Sequence, residues 1–124
     1  FVLIKGNHDR FPESGLDAMG ITRVHHSLYS DPICFIHHYE KEDFIHPILY
    51  PRQAASPAFI CGHLHPGVSL ALPSKRRMRF PCYVVTERRI ILPAFSRFTG
   101  LDTSPVPGKA VRYALYEGEI FKIE

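Results

Sequence analysis

Short apolar runs separated by polar turns set the pattern of this chain. Phe1-Val2-Leu3-Ile4, Ile33-Cys34-Phe35-Ile36 and Ala58-Phe59-Ile60-Cys61 are continuous and brief, which suits buried strands better than amphipathic helices. Further strands are predicted over 23–29, 68–72, 82–86, 89–92, 111–116 and 120–123. Turn chemistry falls between them. Ser30-Asp31-Pro32, Glu87-Arg88 and Glu117-Gly118-Glu119 each predict a hairpin. One short helix is expected over 15–19, capped by Ser14 and ended by Gly20. The stretch 40–57 holds Pro47, Pro51 and Pro57, which exclude a long helix, and reads as a crossing loop. Residues 73–80 read as a basic loop and 94–107 as a loop rich in Thr, Ser, Gly and Pro. The expected class is a strand-rich α/β chain without internal repeats.

Composition narrows this only a little. The 124 residues are 45% hydrophobic and 22% charged, an ordinary balance for one globular domain with a single modest core. No apolar run approaches the roughly 18 residues that cross a bilayer, and no signal peptide is visible, so no membrane partner is expected. Three cysteines make no disulfide framework; Cys34 and Cys61 lie in apolar runs and read as buried thiols, which favours a cytoplasmic setting. A net charge of +3 permits an anionic substrate without demanding one. A chain that opens in mid-strand at Phe1 reads as part of a longer protein.

The chemistry lies where three of the apolar runs end. Val2-Leu3-Ile4 leads to Gly6-Asn7-His8, Cys34-Phe35-Ile36 to His37-His38, and Phe59-Ile60-Cys61 to Gly62-His63-Leu64-His65. Ligand sites in open α/β sheets form at the carboxyl ends of strands, so neighbouring strands would bring these side chains into one cleft. On an extended chain positions i and i+2 share a side, which would let His63 and His65 converge. Neutral imidazole is a ligand for Zn, Mn and Fe. Gly6 and Gly62 would let the backbone turn sharply and approach a bound group. Any one of these histidines is more often packed or solvated than a ligand, and Gly6-Asn7-His8-Asp9 alone could be an ordinary turn. The repetition of strand and histidine argues against coincidence. His25, His26 and His46 have no such setting and read as surface or structural.

Gly6-Asn7-His8-Asp9 and Gly62-His63-Leu64-His65 resemble two signature motifs of the calcineurin-like metallophosphoesterases, and the strand ending at His37 resembles the histidine motif between them. The stretch 62–100, through Arg79-Phe80-Pro81-Cys82, Leu92-Pro93-Ala94-Phe95 and Phe98-Thr99-Gly100, is similar to the bacterial branch of DNA ligase-associated damage-response endonucleases or phosphoesterases. The resemblance implies a partial metallophosphoesterase domain over 1–124: the strand-rich carboxyl half of a four-layer α/β/β/α sandwich. It implies two divalent ions (Mn, Fe or Zn), with Asn7, His37 and His63 on one and His65 on the other. It implies that His8 protonates the leaving oxygen and that Asp9 fixes the His8 ring. His38 is a rival to His37. The amino-terminal D-x-H and G-D-x-x-[DN] motifs that the resemblance also requires do not occur in these residues, so the chain alone is expected to be inactive and, with sheet edges uncovered, to self-associate.

The expected activity is hydrolysis of phosphoesters, with DNA or RNA as a candidate substrate. The alternative is an inactive scaffold that binds DNA-repair proteins. Lys75-Arg76-Arg77 with Arg79 is more often a solvated loop than a phosphate contact. Phe98 beside Arg97 could stack on a base, but a packed Phe is the commoner case.

Overall fold

The computed structural model describes residues 1–38, 58–106 and 108–123. The expected crossing loop over 40–57, with His46, lies outside them. Among the described residues the chain is strand-rich, with mixed parallel and antiparallel pairing and little helix. No helix among them is long and apolar enough to cross a membrane.

The first strand, β1 (Val2–Ile4), pairs in parallel with β2 (Arg23–His25) as a separate two-stranded sheet. Between them lies a short helix, α1 (Glu13–Leu16), continued by a 3-10 turn at Asp17–Met19. Ser14 is inside this helix rather than its cap: Pro12 precedes the first turn, its fixed φ suiting the entry. Gly20 ends the segment as expected, at φ 71°, with its N–H donating to the Asp17 carbonyl. Nor is β1 buried: Val2 is exposed and Leu3 and Ile4 are only half-buried.

The stretch 23–29 is not one strand. It breaks at His26, and β3 (Ser27–Ser30) leaves β2 to join the larger sheet. There β3 turns through Asp31-Pro32 into β4 (Ile33–Ile36), an antiparallel hairpin in register from Ser27↔Ile36 to Ser30↔Ile33. β4 then runs parallel to β5 (Ala58–Cys61), with Ile36 opposite Cys61. β5 in turn runs parallel to β8 (Arg89–Ile91), with Cys61 opposite Ile91. The carboxyl ends of β4 and β5 therefore lie side by side at one rim.

β7 (Arg77–Val85) holds the rest together. Its first half pairs antiparallel with β6 (Gly67–Ala71) and its second half with β9 (Val111–Tyr116) and β8. The basic stretch is thus partly strand: Arg77 donates to the Ser69 hydroxyl and carbonyl across the β6–β7 ladder. Pro81, which has no N–H, sits where β7 exchanges one partner for the next, so the ladder loses little there. β9 turns into β10 (Glu119–Ile123) across Glu117 and Gly118 at φ 50° and 83°, the left-handed pair that a two-residue hairpin turn requires.

The core lies beneath this junction. Cys61, Val68, Cys82, Val84, Ile91 and Ala114 form one buried cluster, and Cys82, Val84 and Ile91 are fully shielded. All three cysteines are buried free thiols, Cys82 included. Burial also raises the thiol pKa of Cys61 and Cys82. Cys61 therefore ties the residue pair Gly62-His63 directly to the buried core.

Candidate metal centre

The rim of β4 and β5 carries the pairing one step beyond the strands. The Gly62 N–H donates to the His37 carbonyl at 3.0 Å, which fixes the His37 backbone against the start of the histidine loop. The Leu64 N–H then donates to the Gly62 carbonyl at 2.8 Å, closing a three-residue turn centred on His63. His63 has φ 66° and His65 φ 47°. Both are left-handed, a conformation that costs a non-glycine residue on the order of 1–2 kcal/mol. The loop is therefore not extended, and the simple i, i+2 geometry does not apply to it. The sharp turn falls on His63 itself, whereas Gly62 has ordinary φ and room for a side chain.

The loop after β1 approaches the same place. The Lys5 N–H donates to the His25 carbonyl and extends the β1–β2 ladder. The Asp9 carboxylate accepts from the Gly6 N–H at 2.7 Å, so it fastens the loop backbone rather than the His8 ring. Gly6 is needed for a close approach: a Cβ there would lie 2.8 Å from His37 Cε1 and 2.9 Å from its Nδ1. The imidazole of His37 lies against the bare Gly6 backbone.

Three donor atoms meet as a result. His37 Nε2 is 2.9 Å from Asn7 Oδ1 and 3.1 Å from His63 Nδ1. Two ligands at about 2.1 Å on adjacent corners of an octahedron are about 3.0 Å apart, so these separations suit a shared transition-metal ion. A single proton on His37 Nε2 can point at Asn7 Oδ1 or at His63 Nδ1; a cation would satisfy all three lone pairs at once. Among the described residues no three His, Cys, Asp or Glu side chains gather closely enough to hold an ion by themselves, and here the third donor is the Asn7 amide oxygen.

The other predicted residues stand around this trio. His38 stacks on His63 with centroids 4.1 Å apart, while the His37 and His63 rings meet edge to face at 5.0 Å. His8 is exposed; His65 is half-buried and Asp9 partly so. His8 and His65 sit close enough to act on the charges of both His37 and His63. Burial, the largest effect, holds both imidazoles below the usual range; Asp9 opposes this at His37, and the surrounding histidines reinforce it at both. Neutral imidazole is the form that binds metal. The structure brings Asn7, His37 and His63 into contact and leaves His65, His8 and Asp9 beside them.

The loop from β8 to β9 runs beside the histidine loop. It is fastened there at two points: the Leu92 N–H donates to the carbonyl of Cys61, the last residue of β5, at 2.7 Å, and the Asp102 N–H, midway along the loop, to the His65 carbonyl at 2.9 Å. Phe98 is not packed; it is fully exposed, as is Phe95.

A crystal structure of the Pseudomonas putida nuclease MPE superimposes on this chain with a TM-score of 0.67 and 28% sequence identity, over 98% of this chain and 53% of that one. The chain is similar to that nuclease and spans about half its length. No family model and no curated protein matches the chain.

Proposed function

We propose that this chain contributes one half of the active centre of a metal-dependent phosphodiesterase that hydrolyses nucleic acid. The observation that carries the reading is the contact of His37 Nε2 with both Asn7 Oδ1 and His63 Nδ1, where the loop after β1 meets the adjoining ends of β4 and β5. The likeness to a nuclease supports it. In this reading Asn7, His37 and His63 hold one divalent ion and His65 contributes to a second, and the surrounding fold is half of a four-layer α/β/β/α metallophosphoesterase sandwich. Two ions (Mn, Fe or Zn) would supply a Lewis acid on the phosphoryl oxygens and lower the pKa of the attacking water.

The chain's own residues do the remainder. His8, exposed at the lip of the trio, donates to a phosphoryl oxygen and passes a proton to the leaving oxygen. Asp9, by closing the loop onto the Gly6 N–H, holds His8 over the centre. Gly6 leaves room for the His37 ring.

In the full-length protein His8→Ala should lower turnover of a phosphodiester about 100-fold or more, within the usual worth of a general acid, while metal content stays near wild type. His63→Ala should lower both. Metal content by plasma mass spectrometry, read beside turnover, separates the roles. Loss of metal in His8→Ala, or wild-type metal and rate in His63→Ala, would overturn the assignment. Absence of turnover in a fully loaded wild-type protein would favour a binding scaffold.

A further inference from the structure

The loop fastened beside the histidine loop carries two fully exposed phenylalanines. Phe95 is 106% exposed and Phe98 is 99% exposed, as open as these side chains can be. Folding ordinarily removes a Phe from water because burying its ring is favourable. Two such rings separated by two residues, neither touching the core, are presented outward. The Phe98 N–H donates to the Ser96 hydroxyl at 3.2 Å, a local turn that shapes the loop between the rings.

Beside them is a cleft of about 230 Å³ between this loop and β7. Arg79 of β7 and Arg97 line it with Phe95, Ser96 and Thr99, and among the described residues no Asp or Glu does. The two guanidinium groups on its wall suit an anion. Aromatic faces next to guanidinium groups suit a strand whose bases are free to stack and whose phosphates lie alongside. A base pair already stacked in a duplex has no free face to offer such rings.

We propose that Phe95 and Phe98, with Arg79 and Arg97, form a base-stacking platform that grips an unpaired nucleic-acid strand and feeds it to the histidine loop. The proposal rests on the phosphodiesterase reading for the second half of that statement. Placement supports it. Phe95 lies three residues from the Leu92 anchor on Cys61, and Phe98 four from the Asp102 anchor on His65. A chain of that length reaches at most about 14 Å, a span of a few nucleotides. The rings stack the bases, the arginines hold the intervening phosphates, and the scissile phosphate lies over Asn7, His37 and His63.

The test uses the full-length protein and two readouts. Binding of a short labelled oligothymidine strand is measured by fluorescence anisotropy in chelator, where no turnover occurs. Turnover of bis(p-nitrophenyl) phosphate with added manganese reports the metal centre alone. Phe95→Ala and Phe98→Ala should each weaken strand binding about tenfold, within the usual worth of one stacked base, and leave the small phosphodiester rate unchanged. Leu at either position should lose affinity as Ala does, and Trp should keep it. Leu and Trp retain bulk, and melting temperatures compared with wild type guard against misfolding. Arg97→Ala and Arg79→Ala should flatten the salt dependence of binding. Unchanged affinity in the Ala variants, Leu variants that bind like wild type, or equal affinity for a blunt duplex would overturn the platform. Failure of the wild type to turn over the small phosphodiester would overturn the phosphodiesterase reading instead, while strand binding remains a separate measurement.

Discussion

The bare backbone of Gly6 and the strained backbone of the histidine loop show how single residues position this centre. Gly6→Ala places a methyl group 2.8 Å from His37 Cε1. Because the nearest atoms are a ring rather than a flexible tail, the imidazole must swing away from Asn7 and His63. Metal affinity should fall by about 10-fold or more, the range seen when the support of a ligand is lost, with little change in melting temperature. Metal titration beside a thermal melt checks both halves. His65 at φ 47° points the opposite way. His65→Gly should raise stability by about 0.5–1 kcal/mol, since glycine adopts this backbone freely, while turnover in the full-length protein falls. A destabilised variant would mean that His65 packs more usefully than its strain costs. Protonation adds a pH dependence. His37 and His63 have folded pKa values below the ordinary 6.5. Below about that pH the unfolded chain binds more protons than the folded one, so stability in chelator rises with pH across the window and is lost as pH falls through the folded values. Melts taken from about pH 5 to 8 should show this, and His63→Gln should shallow the rise.

Among the elements, β7 and β5 carry the most consequence. Ile91 opposite Val84 and Cys61 is fully buried, and its truncation to Ala should cost about 2–5 kcal/mol by chemical denaturation. Because Cys61 leads straight into the histidine loop, the same change should loosen the His37–His63 contact. The strands themselves were legible: 58–61 and the three hairpins follow from apolar runs and turn residues, which are local properties. The stretch 23–29 has one apolar and polar pattern but two hydrogen-bonding partners, and only the arrangement of β1 and β4 splits it at His26. The basic run 75–79 reads as a loop by charge, yet Arg77 and Arg79 are strand residues because β6 offers a ladder and Ser69 accepts from Arg77. β-structure depends on a partner distant in sequence, and propensity does not name the partner.

On the scale of the whole molecule, β10 lies at one end of the larger sheet and among the described residues pairs only with β9. Ile120 and Phe121 on it are exposed. Such an edge invites a strand from another copy, so this chain by itself should self-associate at high concentration, and Phe121→Lys should shift it toward monomer in light scattering. A wild-type chain that stays monomeric throughout would count against this. By itself the sequence determined the strand-rich class, the turns, the three strand ends that bear histidine and the buried thiols, because each follows from side chains adjacent in the chain. Tertiary structure decided the rest. The parallel alignment of β4 with β5, and the approach of the loop after β1, put Asn7, His37 and His63 within hydrogen-bonding distance. It also set His37 against Asn7, gave His63 the turn expected of Gly62, and left Phe95 and Phe98 in water. These depend on which backbone lies beside which, and pairing across tens of residues is fixed by packing of the assembled sheet rather than by any local pattern.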